Sequence, residues 1–250
     1  MISNVNFNAF YFHLGRLEQF LGTEIFSFAK ELESSNEIIK SLENKVSDVT
    51  HFKKKYWATL FELGLFRVII FLLIRSKKPS VVIETGVLHG LTSLFILSAI
   101  RKNKIGFLHS VDLPSYFESG PSNNDGYYDV LPKGMEPGWI IPDYLLKSWR
   151  LHIGRSVDLL PKIIKKYDEI DFFLHDSEHT YVNMTNEFEI VWEKLKSGGC
   201  LICDNIEANS SFIDFCKKKS QPYILFPEIQ LGTGAILDWR FGITIKHHDK

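Results

Sequence analysis

The pattern of the chain changes at Ser80. Beyond it, short apolar runs alternate with longer segments of helical period, the β-α-β order of a parallel sheet with helices on both faces. Runs at 81–84, 106–112, 150–153, 170–174 and 200–203 read as strands, and segments at 90–101 and 159–166 read as helices. A helix-length stretch separates 174 from 200; within it Tyr181, Met184, Phe188, Val191 and Leu195 form an apolar stripe, and Gly198-Gly199 suits the turn into the next strand. The last two runs, 223–226 and 235–244, have no helix between them and are expected to pair antiparallel. The predicted fold is α/β, a doubly wound, mostly parallel, seven-stranded sheet with N-terminal helices.

Before Ser80 the periodicity is helical. Leu14, Leu17, Phe20, Leu21 and Ile25 recur at helical spacing, 31–42 continues with polar gaps, and 47–55 is a polar, basic break. Segment 57–75 reads as a helix stopped by Lys77, Lys78 and Pro79. The chain thus divides into a helical cap, 1–79, and a sheet domain, 80–250. The cap helices suit either covering the sheet or joining two copies as a homo-oligomer. Segment 114–147 fits neither pattern. It holds prolines, glycines and two adjacent asparagines, together with Tyr116, Phe117, Tyr127, Tyr128, Trp139 and Tyr144, and is expected to form a lid or substrate wall.

Composition narrows the partners. A chain of 250 residues, 45% hydrophobic and 24% charged, has ample material for a core. A formal net charge of −1 gives no electrostatic footprint for nucleic acid. Segment 57–74 approaches the length of a membrane span, yet it contains Glu62 and Arg67 and is read as a buried helix. With no basic start and apolar core at its beginning, the chain is expected to be cytoplasmic and away from membranes. Cys200 and Cys203 spell C-x-x-C but fall in one strand, where residues three apart face opposite ways, so they are read as strand filling.

Candidate chemistry concentrates in 171–205. Two strands there close on acids, Asp176 and Asp204, and Asn205 follows directly. Adjacent parallel strands end on the same edge roughly 5 Å apart, and ligands of open α/β sheets bind outside that edge. One cation can then bridge both carboxylates, and an all-oxygen set of two acids and an amide suits Mg²⁺. The competing reading is that acids at strand ends only cap helices. His175 points away from Asp176 if the strand continues and is read as structural.

A second motif spans 81–93, VVIETGVLHGLTS: a strand, Glu84, Gly86, Gly90 and a helix start. Glycines permit a tight turn and close approach of a ligand, and the helix N-terminus offers N–H groups to an anion. A dehydrogenase fingerprint is not met, because Glu84 stands where its first glycine belongs and would repel a pyrophosphate. The motif suits a ligand with a positive group and no phosphate; S-adenosylmethionine has both an amino group and a sulfonium. Asp112, ending the next strand, suits a pair of ribose hydroxyls.

With these residues in place, the chain resembles the class I S-adenosylmethionine-dependent methyltransferases from about Ser80 to the C-terminus. Within that class it is similar to the metal-dependent O-methyltransferases of catechol and macrolide-sugar type. The resemblance implies cofactor contacts at Glu84, Gly86, Gly90, Thr92, Asp112, Ser156 and Asp176, with the stretch Gly154-Arg155-Ser156-Val157 beside the adenine. It implies a metal triad of Asp176, Asp204 and Asn205. His179 stands where the catechol-type enzymes place a lysine base, and imidazole titrates near neutral pH. Leu88 departs from the pattern at a position where many relatives have glycine, and 114–147 is longer than in catechol-type enzymes. The expected activity is methyl transfer to a hydroxyl of a small molecule or sugar, with Asp176 and His179 as catalytic residues. The alternatives are a metal-independent methyltransferase using Asp176 or His179 as base, a non-catalytic cofactor-binding scaffold and, more distantly, an NAD-dependent oxidoreductase.

Overall fold

The structure, a computed structural model, describes residues 8–33, 38, 40, 64–114, 131, 134–230 and 234–247. The polar break at 47–55, the beginning of the 57–75 segment and most of the 114–147 segment lie outside these residues. Seven strands form one sheet: β1 (Val81–Thr85), β2 (Phe107–Asp112), β3 (Trp149–Ile153), β4 (Ile170–His175), β5 (Leu195–Cys203), β6 (Tyr223–Ile229) and β7 (Ile236–Ile245). Their spatial order is β3-β2-β1-β4-β5-β7-β6. Neighbours from β3 through β5 run parallel, whereas β7 is antiparallel to both β5 and β6. The chain winds outward from β1 to β3, then returns to lay β4 on the other side of β1. That reversal opens a crevice at the carboxyl edge between the two halves.

Helices cover both faces. On one lie α1 (Asn8–Leu21), α2 (Phe26–Glu33), α3 (Leu65–Lys77) and α4 (Leu91–Asn103); on the other lie α5 (Ser156–Ile164), α6 (Tyr181–Trp192) and α7 (Ser211–Lys218). The N-terminal helices share their core with the sheet: Phe10, Leu14, Leu17 and Ile25 belong to one buried cluster with Val82, Phe172 and Ile202. The apolar pattern of 57–75 is accounted for by α3, in which every residue from Val68 to Ile74 is buried. Among the described residues no helix is long and apolar enough to cross a membrane.

Strand alternation assigns residues to the two cores. Val82, Leu108, Phe172, Leu174, Cys200 and Ile202 face α3 and α4, while Ile83, Val111, Phe173, Leu201 and Cys203 face α5 to α7. Cys200 and Cys203 therefore sit in different cores. Burial pushes the Cys200 and Cys216 thiols up to about 12 and holds Cys203 well above an ordinary thiol.

Three details differ from the sequence pattern. Gly198-Gly199 does not make a helix-to-strand turn; it lies inside β5, where the register with β4 shifts between Ile170 and Phe172. Gly198 takes φ 76°, and the pair bonds to the end of β7 through Gly198 N–H to Lys246 O at 2.7 Å and Lys246 N–H to Gly199 O at 2.9 Å. Helix α7 carries no long apolar run, only Phe212, Phe215 and Cys216 on one face, which explains why periodicity missed it. Tyr181, at the head of the α6 stripe, is exposed rather than core, while Met184, Phe188, Val191 and Leu195 are buried.

A thiol reagent tests this packing. At pH 8, Ellman's reagent is expected to modify none of Cys200, Cys203 and Cys216 in the native protein and all three in denaturant, because buried thiols carry almost no thiolate at that pH. Rapid native labelling would contradict the assigned burial.

Candidate functional site

The turn after β1 is built by side chains from the neighbouring strand. Glu84 is fully buried, and its Oε2 accepts hydrogen bonds from Ser93 Oγ at 2.6 Å and Ser110 Oγ at 2.7 Å. Trp149 Nε1 in turn donates to Ser110 Oγ at 2.8 Å. The other oxygen of Glu84, Oε1, is buried with no partner, and burial raises the acid to about 7. An acceptor held in this way calls for a donor from a bound molecule. Asp112 has one oxygen committed: Oδ2 accepts from Val87 N–H at 2.7 Å and Leu88 N–H at 2.9 Å and so shapes the turn itself. Gly154 N–H donates to Asp112 O at 2.8 Å, which brings the 154–157 stretch beside that acid, and the exposed side chains of Leu113 and Ile153 flank it.

Gly86 and Gly90 both have positive φ, and each meets another segment. A Cβ on Gly86 would lie 1.7 Å from Asp176 O, and one on Gly90 would lie 2.6 Å from Gly138 Cα. Gly86 thus lets the first turn touch the end of β4. At Gly90 the approaching group is the protein's own 134–142 segment: Gly138 N–H donates to Leu88 O at 2.8 Å, Ile140 N–H to His89 O at 3.3 Å, and Trp139 Nε1 to His89 Nδ1 at 2.9 Å. Burial lowers the His89 pKa to about 4, so its ring is neutral. Leu88 adopts φ 48° in this strapped turn, a conformation that favours glycine. Thr92 is buried at the start of α4, whose cap residue Gly90 contributes no side-chain bond to its free N–H groups.

The centre of the carboxyl edge is a residue that the apolar pattern passed over. Glu187 of α6 is fully buried and accepts from Thr85 Oγ1 at 2.7 Å, His175 Nδ1 at 2.7 Å, Ser177 Oγ at 2.8 Å and Asn183 Nδ2 at 3.1 Å. Ser156 adds a further hydrogen bond, so this side chain is turned to Glu187. Burial alone would raise the acid, but His175 and the surrounding donors bring it down to about 2. His175 is structural, as its strand position predicts. An acid between Met184 and Phe188 on a buried helix face was the available signal.

Asp176 and Asp204 follow β4 and β5, and the structure brings their side chains into a mutual hydrogen bond. Burial pushes Asp204 up to about 6. Backbone bonds from Asp176 N–H to Thr85 O at 2.8 Å and from Asp204 N–H to His175 O at 3.0 Å hold the two strand ends level. Asn205 is buried at φ 47°, and its Nδ2 donates to Glu207 Oε1 at 3.0 Å. Glu207 Oε2 in turn accepts from Arg240 N–H at 2.8 Å. His179 is half-buried and packs edge-on to His175 at 5.3 Å, while Asn209 Nδ2 donates to its carbonyl at 3.0 Å. Among the described residues no group of three His, Cys, Asp or Glu is arranged around a metal position. The expected triad has two acids and an amide, and those two acids do meet.

Residues 83–206 match the family model described as "Methyltransferase domain". No curated protein sequence matches the chain. Among solved structures, a putative O-methyltransferase from Klebsiella pneumoniae is similar with a TM-score of 0.57 at 12% identity, covering 90% of this chain and 96% of its own. The O-methyltransferase from Bacillus cereus in complex with SAH gives 0.55 at 13%, covering 85% and 92%. TomG, an O-methyltransferase of Streptomyces achromogenes involved in tomaymycin synthesis and solved with SAM, gives 0.55 at 13%, covering 89% and 95%.

Two stability measurements follow from the buried acids. Glu187→Gln should lower the unfolding free energy by roughly 3–5 kcal/mol, the range for breaking a buried pair, as read from urea denaturation at neutral pH; a change near zero would mean that the knot does not stabilise the fold. Glu84 binds its proton more tightly folded (about 7) than at its ordinary value of 4.5, so its contribution to stability falls as pH rises across that window. Glu84→Gln is therefore expected to flatten the decline of urea midpoints from pH 5 to 7, and an unchanged slope would contradict the assignment. Glu187 has the opposite sign: its stabilisation is complete above 4.5 and is lost as pH falls toward 2.

Proposed function

We propose that the chain is a class I S-adenosylmethionine-dependent methyltransferase, a reading supported by the methyltransferase-domain match over residues 83–206 and by the shared fold, and that it methylates a hydroxyl oxygen of a small molecule or sugar with the help of a divalent cation. The observation that carries this reading is the hydrogen bond between Asp176 and Asp204 at the ends of adjacent parallel strands, with Asn205 directly after them. Two carboxyl groups held together need a proton or a cation between them. A set of two acids and an amide oxygen fits a hard cation that keeps places for water or substrate.

The cofactor fits the other half of the edge. Glu84 Oε1, buried without a partner, suits the cofactor's amino group, and the free N–H groups of α4 beside Thr92 suit its carboxylate. Gly86 and Gly90 permit the turn that leads there. Asp112 keeps Oδ1 for ribose hydroxyls, since Oδ2 is occupied by backbone, and Leu113 and Ile153 offer apolar surface to the adenine near the 154–157 stretch. Bound S-adenosylmethionine supplies an electrophilic methyl group on a positively charged sulfur.

A hydroxyl is a poor nucleophile while protonated, and a divalent cation supplies Lewis acidity that lowers its pKa. Asp176, Asp204 and Asn205 would hold that cation. His179 takes the hydroxyl proton, with its ring braced against His175, which Glu187 holds in place. The metal-independent reading has its own support: an acid pair sharing a proton can itself serve as base. The part of the aromatic segment around Trp139 covers the cofactor turn.

Calorimetry separates these readings. Wild-type protein is expected to bind S-adenosylhomocysteine and one Mn²⁺, while Asp204→Ala loses the Mn²⁺ heat and keeps S-adenosylhomocysteine affinity. Absence of S-adenosylhomocysteine binding to the wild type would overturn the methyltransferase assignment. Methyl transfer that survives chelation of divalent metal would overturn the cation and leave the acid pair and His179 as the base.

A further inference from the structure

Arg67 is a charged group that the reaction centre described above does not use. It stands in the first turn of α3, and a clamp fixes where that turn lies. Glu228 of β6, itself buried, accepts the N–H of Phe66 at 3.0 Å and also that of Leu65. Gly64 makes room for it, because a Cβ there would fall 1.5 Å from Glu228 Oε1. Gly64 also bridges to Gln230, beyond the end of β6. Phe66 packs edge-on to Phe241 of β7 at 5.1 Å, so α3 begins over the β5–β7–β6 end of the sheet. The cofactor cradle of Glu84 and Asp112 belongs to β1 and β2, on the other side of the acid pair.

The guanidinium of Arg67 acts electrostatically on both Asp204 and Glu228. Among the described residues it nonetheless forms no ion pair with either, and its buried Nε–H has no acceptor. A buried guanidinium N–H without an acceptor is costly. Glu228 accepts the amides at the start of α3, and among the described residues no hydrogen bond joins it to the guanidinium. Asp176 and Asp204 are committed to each other. What remains is a half-buried cationic fork whose charge is felt by Asp204, at the end of β5 where the proposed reaction centre lies, and whose geometry suits two oxygens of one anionic group.

We propose that Arg67 anchors an anionic oxygen group of the methyl acceptor, a carboxylate or a phosphate, so that the acceptor is a hydroxylated acid rather than a neutral sugar or phenol. This rests on reading Asp176–Asp204 as the reaction centre, and it narrows the substrate class of that same site. Position excludes the cofactor's own carboxylate as the occupant, since α3 starts on the acceptor side of the acid pair. Lysine at this position would keep the charge but lose the paired donors, so charge and fork geometry can be tested apart.

The test uses the full chain with ¹⁵N-labelled arginine, saturated with S-adenosylhomocysteine and titrated separately with acetate and with inorganic phosphate. The Arg67 Nε–H resonance is assigned by its disappearance in Arg67→Lys. It is expected to move saturably with at least one of the two anions, and the anion that moves it at lower concentration identifies the group. The resonance of the exposed Arg150, on β3 at the other end of the sheet, should show no saturable shift. In the second arm, Arg67→Gln should keep S-adenosylhomocysteine affinity, which shows that the fold and cradle persist, and should lose the heat of anion binding seen in the wild type. An Arg67 resonance unmoved by both anions, in protein that binds S-adenosylhomocysteine, overturns the proposal. A wild type that fails to bind S-adenosylhomocysteine instead removes the functional reading on which it rests.

Discussion

A carboxylate sealed from water, Glu187, ties together the part of the molecule where chemistry can occur. Its partners come from the end of β1, the end of β4, the turn after β4, the first residue of α5 and its own helix α6. Removing a carboxylate from water is costly unless each lone pair finds a donor, and here His175 supplies charge while hydroxyls and an amide supply the rest. These elements cannot slide past one another without stranding a buried acid. The levelness of the carboxyl edge, on which the meeting of Asp176 and Asp204 depends, follows from that restriction.

Strand alternation divides the labour at this edge. Thr85 and His175 face α6 and feed the Glu187 knot, whereas Glu84, Ser110 and Asp112, from alternate positions, face α4 and shape the first turn. One parity supports and the other presents. The two systems touch at Gly86, where the first turn lies against the Asp176 backbone so closely that no side chain would fit. The cradle on one half of the sheet is thereby set in fixed relation to the acid pair on the other.

Nearby, the molecule uses its own backbone to cover what a bare strand-turn-helix would leave open. The 134–142 segment lies over Leu88–Gly90, pinned by two backbone bonds and by the Trp139 indole on His89. On the far side, Glu228 caps the amides at the start of α3. Both contacts join elements distant in sequence, and both narrow the ways in which a ligand can approach the edge.

The sequence alone determined the alternation of strands and helices, the antiparallel final pair, the strand ends on which Asp112, Asp176 and Asp204 stand, and the split of Cys200 from Cys203. These follow from local period and parity, which a chain carries within a few residues. Tertiary structure alone decided the rest. Gly198-Gly199 reads as a turn but is a bulge, because the β4–β5 register and the end of β7 set its pairing. The Ser156 hydroxyl bonds to Glu187, and Asp112 gives one oxygen to its own turn, because those partners arrive from elsewhere in the chain. Glu187, Trp139 and Arg67 carry no motif, since their meaning lies in which buried groups they meet. Periodicity says which way a side chain faces; only the packed fold says what waits there.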